Sequence, residues 1–229
     1  MSSGTAQDPE ALKLTQLPLF PLQAVLFPGG WMPLRIFEVR YLDMISRCHK
    51  AGAPFGVVAL SEGSEVRRRA PKASPSGDAF AHEAFFPVGT LAHIEQLERP
   101  QPGLLVIHCR GSQNFEIDAS QQLPHGLWTA DVTIRPAEAT VGVPDDLLST
   151  RDALERLLNN VLDREPKARN ELPLQAPYHW NDSGWVANRW LELLPLPTEL
   201  KQRMMTVDSP VLRLELVSDL LDRMGVERD

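Results

Sequence analysis

The chain is predicted to be an α+β protein, with strands first and helices second. Three observations carry this. Proline-broken apolar runs fill the first third. Period-two alternation follows up to Ile134, and residues beyond Pro136 change to helical periodicity. The expected layout is a mostly antiparallel β-barrel with one helix over residues 14–136, followed by an α-helical bundle over residues 144–225.

The opening run from Leu17 to Tyr41 is strongly apolar yet holds Pro18, Pro21, Pro28 and Pro33. Each proline removes a donor and clashes one turn back, so no helix survives there. A membrane span is excluded for the same reason. Short extended pieces joined by turns remain, with Pro28-Gly29-Gly30 the sharpest turn. From Glu38 to Lys50 the residues Tyr41, Leu42, Ile45 and Cys48 recur at helical spacing, and Gly52 supplies a stop.

Pro54–Leu60 reads as a buried strand. Residues 61–84 form a long polar loop holding the basic run Arg67–Arg69 and Lys72, best read as a solvated tip. Phe85–Glu98 and Leu104–Arg110 are a strand pair around a Pro-Gly turn. Gly111-Ser112 marks a bulge or tight turn before Asn114–Asp118. In Leu127–Ile134, Trp128, Ala130, Val132 and Ile134 face inward while Thr129, Asp131 and Thr133 face outward.

Pro144-Asp-Asp opens a helix carrying Leu147, Leu154, Leu158, Val161 and Leu162 on its apolar face. Asn181-Asp182 caps a second helix, with Trp185, Val186, Trp190, Leu193 and Leu194 on one face. Thr198 caps a short third. Ser209-Pro210 opens the last, with Leu212, Leu216, Leu220, Leu221 and Met224 as its packing face and Gly225 as stop.

Composition narrows function. The net charge is −7, and most of the acidic excess falls after Pro136, so no basic stripe exists for phosphates. The two cysteines, Cys48 and Cys109, belong to no Cys-x-x-Cys pair, which leaves a zinc ribbon or disulfide framework unsupported. Met1–Glu10 lacks an apolar signal segment, and a cytoplasmic setting is expected. There is no Gly-Lys pair for a phosphate loop, no Gly-x-Ser-x-Gly elbow, and Phe86 stands where a metalloprotease helix begun at His82-Glu83 needs histidine. His108 and Cys109 are adjacent on a strand and point to opposite faces, so they do not share a metal. No catalytic, cofactor or metal residue is assigned. Glu38 reads as a first-turn or capping residue. Candidate binding residues for a peptide are Trp31, Arg35, Arg110 and Trp185.

A family resemblance rests on several motifs in order. Leu17-Pro-Leu-Phe-Pro-Leu, Val25-Leu-Phe-Pro-Gly and Pro33-Leu-Arg-Ile-Phe-Glu-Val-Arg-Tyr41 resemble the opening of the Lon protease N-terminal domain, also called the Lon substrate-binding domain. Phe55-Gly-Val-Val, Val88-Gly-Thr-Leu-Ala-His-Ile94, Gly111-Ser-Gln-Asn-Phe-Glu-Ile117 and the stretches from Leu193 and Lys201 continue the likeness, over about residues 14–222. Asn114 replaces the family's usual arginine before phenylalanine. The resemblance implies a PUA-like barrel joined to a helical part. It implies a non-enzymatic role in holding unfolded or tagged polypeptides or a partner protein, without cofactor. The chain as given shows neither the ATPase nor the peptidase module of full Lon proteases, which suggests a stand-alone substrate-binding protein. The competing readings are an RNA-binding PUA-like protein, which the charge argues against, and a small-molecule enzyme with an unrecognised site.

Overall fold

The computed structural model describes residues 12–62, 83–165, 172 and 174–226. The basic run Arg67–Arg69, Lys72 and His82 lie outside the described residues. Six strands and five α-helices follow in order: β1 (Lys13–Leu22), β2 (Trp31–Ile36), α1 (Val39–Ala51), β3 (Phe55–Glu62), β4 (Ala84–Gln101), β5 (Leu104–Gln122), β6 (Trp128–Ile134), α2 (Leu148–Arg164), α3 (Ser183–Leu193), α4 (Thr198–Met205) and α5 (Pro210–Arg223). A single 3-10 turn, Asp145–Leu147, leads into α2.

The strand order is β2-β5-β4-β3-β1-β6, and β6 pairs with β5 as well as with β1. Five strands therefore complete a ring of pairings, while β2 pairs with β5 alone. Only β1 and β3 run parallel; every other pairing is antiparallel. The length of β5 makes this possible. Its first half pairs with β2 through Leu105–Arg110, and its second half pairs with β6 through Phe115–Gln122. Of the bulge or tight turn expected at Gly111-Ser112 the bulge is present: the β4–β5 register shifts between Thr90↔Asn114 and Ala92↔Gly111, while β5 itself continues. Gly111 lets the backbone of Phe27 approach where a side chain would collide with it.

Two apolar clusters lie within the sheet. One holds Phe20, Tyr41, Ile45, Phe55 and Ile107 beneath α1. The other gathers Leu17, Leu19, Phe115, Val132 and Ile134. A third, larger cluster joins the helices to one side of the sheet, bringing Phe27 and Val88 against Leu154, Trp190, Leu191, Leu214 and Leu221. At its centre α3 is buried at every position from Ser183 to Leu191. The sequence suggests one apolar face for this helix, but it is enclosed on all sides.

Local signals hold in most places. Gly52 ends α1 in the left-handed conformation. Asp182 caps α3 by accepting from the backbone N–H groups of Gly184 and Trp185, and Ser209 accepts from Leu212 ahead of Pro210. Three expectations need correction. Thr198 is the first residue of α4 rather than its cap, and its hydroxyl donates to the Gln23 carbonyl (2.9 Å). Glu38 does occupy the N-cap position of α1, but its carboxylate makes no cap bond and accepts from Arg40 Nε (3.0 Å) instead. The packing face of α5 is Arg213, Leu214, Val217, Ser218 and Leu221, whereas Leu212, Leu216 and Met224 are exposed. Of the expected face Leu221 is buried and Leu220 packs against the helical core, while Leu212, Leu216 and Met224 turn to solvent and Arg213 takes an inward position.

This reassignment has a measurable consequence. Leu221→Ala should cost about 2–5 kcal/mol, as for a fully buried leucine, while Leu216→Ala should stay within about 0.5 kcal/mol. Urea unfolding midpoints of the two variants check the order; equal losses would restore the sequence-derived face.

Candidate binding site at the sheet–helix seam

The site is built on the turn between β1 and β2. Pro28-Gly29-Gly30 reverses the chain, and Gly29 adopts φ +75°, which glycine reaches without strain. Gly29 N–H donates to the Gly111 carbonyl (2.8 Å), Gly111 N–H donates to Gly30 (2.9 Å), and Gly30 N–H donates to Phe27 (2.9 Å). The turn is thereby fixed to β5.

From the other side α3 inserts a charged pair. Arg189 is 1% exposed, and its Nε lies 2.9 Å from Glu192 Oε2. Its Nη2 donates to the Pro28 carbonyl at 3.0 Å and to Glu192 Oε1 at 2.9 Å. A side chain at Gly30 would collide with the Glu192 carboxylate and with the Phe27 carbonyl, so glycine here makes room for the carboxylate. Burial pushes the Glu192 carboxyl up to about 7 against the opposing pull of Arg189, the Phe27 backbone and Lys201. Burial likewise lowers the Arg189 guanidinium, with Glu192 opposing and Arg110 assisting.

Three of the four sequence-predicted residues meet around this turn. Trp31 opens β2, stacked on His108 with centroids 5.4 Å apart, and the Arg110 guanidinium lies 5.2 Å from its ring. Arg110 is half-buried, pairs with Glu95 (3.3 Å) and donates to the Ala176 carbonyl (3.3 Å). Trp185 sits in the first turn of α3 beneath Gly29, with Arg189 5.7 Å from its ring and Trp180 edge-on at 5.0 Å. Both tryptophans are buried, at 8% and 7% exposure, so each presents only a margin to solvent. Arg35 is separate. It is exposed, four residues along β2 from Trp31, or about 13 Å at strand rise.

Open cavities flank the turn. One of about 270 Å³ is lined by Val25, Leu26, Trp31, Pro33, Leu196 and Lys201. A second of about 260 Å³ is more polar, with Gly29, Asn114, Glu138, Trp185 and Arg213 among its walls. A smaller one of about 160 Å³ lies further along β2, between Leu22, Tyr41 and Arg35. Asn114, at the position where the family's arginine is expected, lies 3.0 Å from the Thr90 hydroxyl.

Sequence reading missed Arg189, Glu192 and Arg213. The available signal was the presence of Arg189 and Glu192, at i, i+3 spacing, inside an otherwise apolar helix. Among the described residues no group of three or more His, Cys, Asp or Glu side chains gathers as for a metal. Both cysteines are free and buried, and burial raises the Cys109 thiol to about 12. Among the described residues no helix is long and apolar enough to cross a membrane.

Comparison with known families gives a match to the ATP-dependent protease La (LON) substrate-binding domain over residues 16–223. The chain belongs to this family. Among solved structures, the Lon N-terminal domain protein from Xanthomonas campestris is 27% identical, with a TM-score of 0.67 over 90% of this chain and 98% of that one. The N-terminal domain of Mycobacterium avium complex Lon protease, 16% identical with a TM-score of 0.54 over 93% and 99%, shares the fold. A search of curated proteins found no match. In this Lon substrate-binding-family chain, the turn, the Arg189–Glu192 pair and β2 form the seam between sheet and helices.

The pair predicts a pH dependence. The Glu192 carboxyl titrates near its ordinary 4.5 when unfolded and near 7 when folded, so the folded state holds the extra proton between those values. Its contribution to stability is therefore greatest below 4.5 and declines as pH rises to 7. Glu192→Gln should remove this decline. The difference between wild-type and variant unfolding free energies, measured from pH 4 to 8, checks it; a difference independent of pH would refute the assignment.

Proposed function

We propose that the protein is a non-catalytic module that holds polypeptide segments, unfolded or tagged, or an exposed segment of a partner protein. The observation that carries this is the row of open cavities along β2 and the turn, in a chain whose family is described by substrate binding. Apolar walls from Leu22, Val25, Leu26 and Leu196 suit side chains of varied shape, and few fixed polar groups converge as a small-molecule site requires. In this reading Arg35 and Arg110 supply reachable cations, and Trp31 and Trp185 back the cavities with rigid aromatic area. The strand ring over residues 14–136 acts as a PUA-like barrel and residues 144–225 as a helical subdomain, with the seam between them as the grip. The free thiols of Cys48 and Cys109 fit a cytoplasmic protein.

A fluorescein-labelled, reduced and carboxymethylated casein tests the proposal by anisotropy without nucleotide. Saturable binding is expected, with the casein recovered at intact mass. Absence of saturable binding by folded protein overturns the binding role, and cleaved casein overturns the non-catalytic one.

A further inference from the structure

Hydrogen-bond phase fixes which backbone groups of β2 face away from the sheet. Gly30 and Gly111 are a bonded pair, since Gly111 N–H donates to the Gly30 carbonyl. The same register continues through Trp31↔Arg110 and Met32↔Cys109 to Ile36↔Leu105. Bonded and non-bonded pairs alternate in an antiparallel ladder. Met32, Leu34 and Ile36 therefore turn their N–H and C=O groups toward β5, and Pro33 and Arg35 turn theirs outward. Pro33 confirms this phase independently, because a residue without N–H fits only where the ladder needs no donor. Among the described residues β2 pairs with β5 alone, so within them the Pro33 carbonyl and the Arg35 N–H and C=O lie on an open edge.

This edge is not flat surface. The cavities of about 270 and 160 Å³ both include Pro33 and together follow the strand from Trp31 to Glu38. The opposite wall is the chain leaving β1, with Leu22 in one cavity and Val25 and Leu26 in the other. Phe37, 56% exposed, stands at the far end. The charges are unequal. Glu38 is engaged by Arg40, and Glu192 by Arg189. Arg35 makes no ion pair among the described residues, whereas the Lys201 ammonium is held by Glu192, through its backbone carbonyl (3.3 Å) and the charge of its carboxylate. Among these groups the uncommitted charge along the groove is the Arg35 guanidinium.

We propose that β2 accepts a short extended peptide as an added strand, one that alternates apolar residues with carboxylates. This rests on the polypeptide-binding role proposed above and specifies its mode. The backbone of the peptide bonds Arg35 N–H and C=O and the Pro33 carbonyl, its apolar side chains enter the two cavities, and a carboxylate pairs with Arg35. Pro33 withholds a donor, so the ladder cannot lengthen past it toward Trp31. The pairable part of the strand, Pro33 to Ile36, spans about 13 Å, which sets the added ladder at about four residues.

Labelled hexapeptides Thr-Val-Glu-Val-Glu-Val and Thr-Val-Lys-Val-Lys-Val are the probes, each titrated by anisotropy beside the casein. The glutamate peptide should bind about tenfold tighter than the lysine peptide. N-methylation of one alternate set of its backbone amides should abolish binding, while methylation of the other set is tolerated. Arg35→Ala, which keeps the edge N–H, should lose the preference for glutamate. Arg35→Pro, which also removes that N–H without touching the β5 pairing, should lose peptide binding, with its folding checked by circular dichroism. If Arg35→Pro does not fold, the methylated peptides decide on the wild-type protein. Equal affinity of both methylated series, with casein still bound, overturns strand addition and leaves the polypeptide-binding role standing. Equal affinity of the glutamate and lysine peptides overturns the charge assignment. Loss of casein binding as well overturns both proposals.

Discussion

The fold depends on one buried ion pair lodged against one glycine turn. Arg189 and Glu192 project from α3 into the corner where the chain passes from β1 to β2. Removing two charges from water costs several kcal/mol each, and their mutual attraction alone does not reliably offset it. Additional partners decide the balance here. Arg189 also serves the Pro28 carbonyl, Glu192 accepts from the Phe27 backbone, and Lys201 lies near. The turn in turn is bonded to Gly111 on β5. Helix, turn and longest strand are thus one unit, and a displaced α3 would strand both charges.

A second polar clamp repeats the logic at the other end of the seam. Arg213 of α5 joins Glu138, Asn188 of α3 (2.9 Å) and the Val207 carbonyl (2.8 Å). Other side chains reach across to main-chain carbonyls of neighbouring segments. Thr90 donates to the Leu26 carbonyl (2.6 Å), Gln202 to Val88 (2.7 Å) and Trp190 to Thr150 (2.9 Å). Segment 23–30 is buried for much of its length yet belongs to no strand, so its carbonyls need side-chain donors. That need explains why a helix packed against it carries arginine where periodicity alone would place another leucine.

Much of this was legible in the sequence, wherever the cause is local. The Pro28-Gly-Gly turn, the left-handed stop at Gly52 and the Asp182 and Ser209 caps all follow from neighbouring residues; the alternation from Leu127 holds at Ala130, Asp131, Val132 and Ile134, but Thr129, read as outward, is buried. The misreadings share a different cause. Leu212, Leu216 and Met224 form a regular stripe, but which stripe a helix buries is decided by what lies opposite, and Arg213 has Glu138 and Asn188 waiting for it. The bulge at Gly111 is readable locally, but the reason no side chain fits there, the Phe27 carbonyl, lies 84 residues away in sequence. Trp31, Arg110 and Trp185 meet around one turn through Arg110 of β5 and Arg189 of α3, a junction between distant segments that no local pattern reveals, and Arg35 stands apart from them.

The place of β2 follows from the length of β5. A 19-residue strand is long enough to close a ring through its second half and still carry an extra strand on its first. The extra strand cannot join the ring, because β5 is already paired with β4 on its other side. An open edge is therefore built into the topology rather than left by accident of a loop. Open edges invite uncontrolled pairing, and proline and charge are the usual restraints. Pro33 and Arg35 supply both restraints on the outward positions of the strand. The same two residues that bar long-range pairing leave a short, cationic opening between apolar walls, so restraint of the edge and selectivity for what it could hold are one physical property.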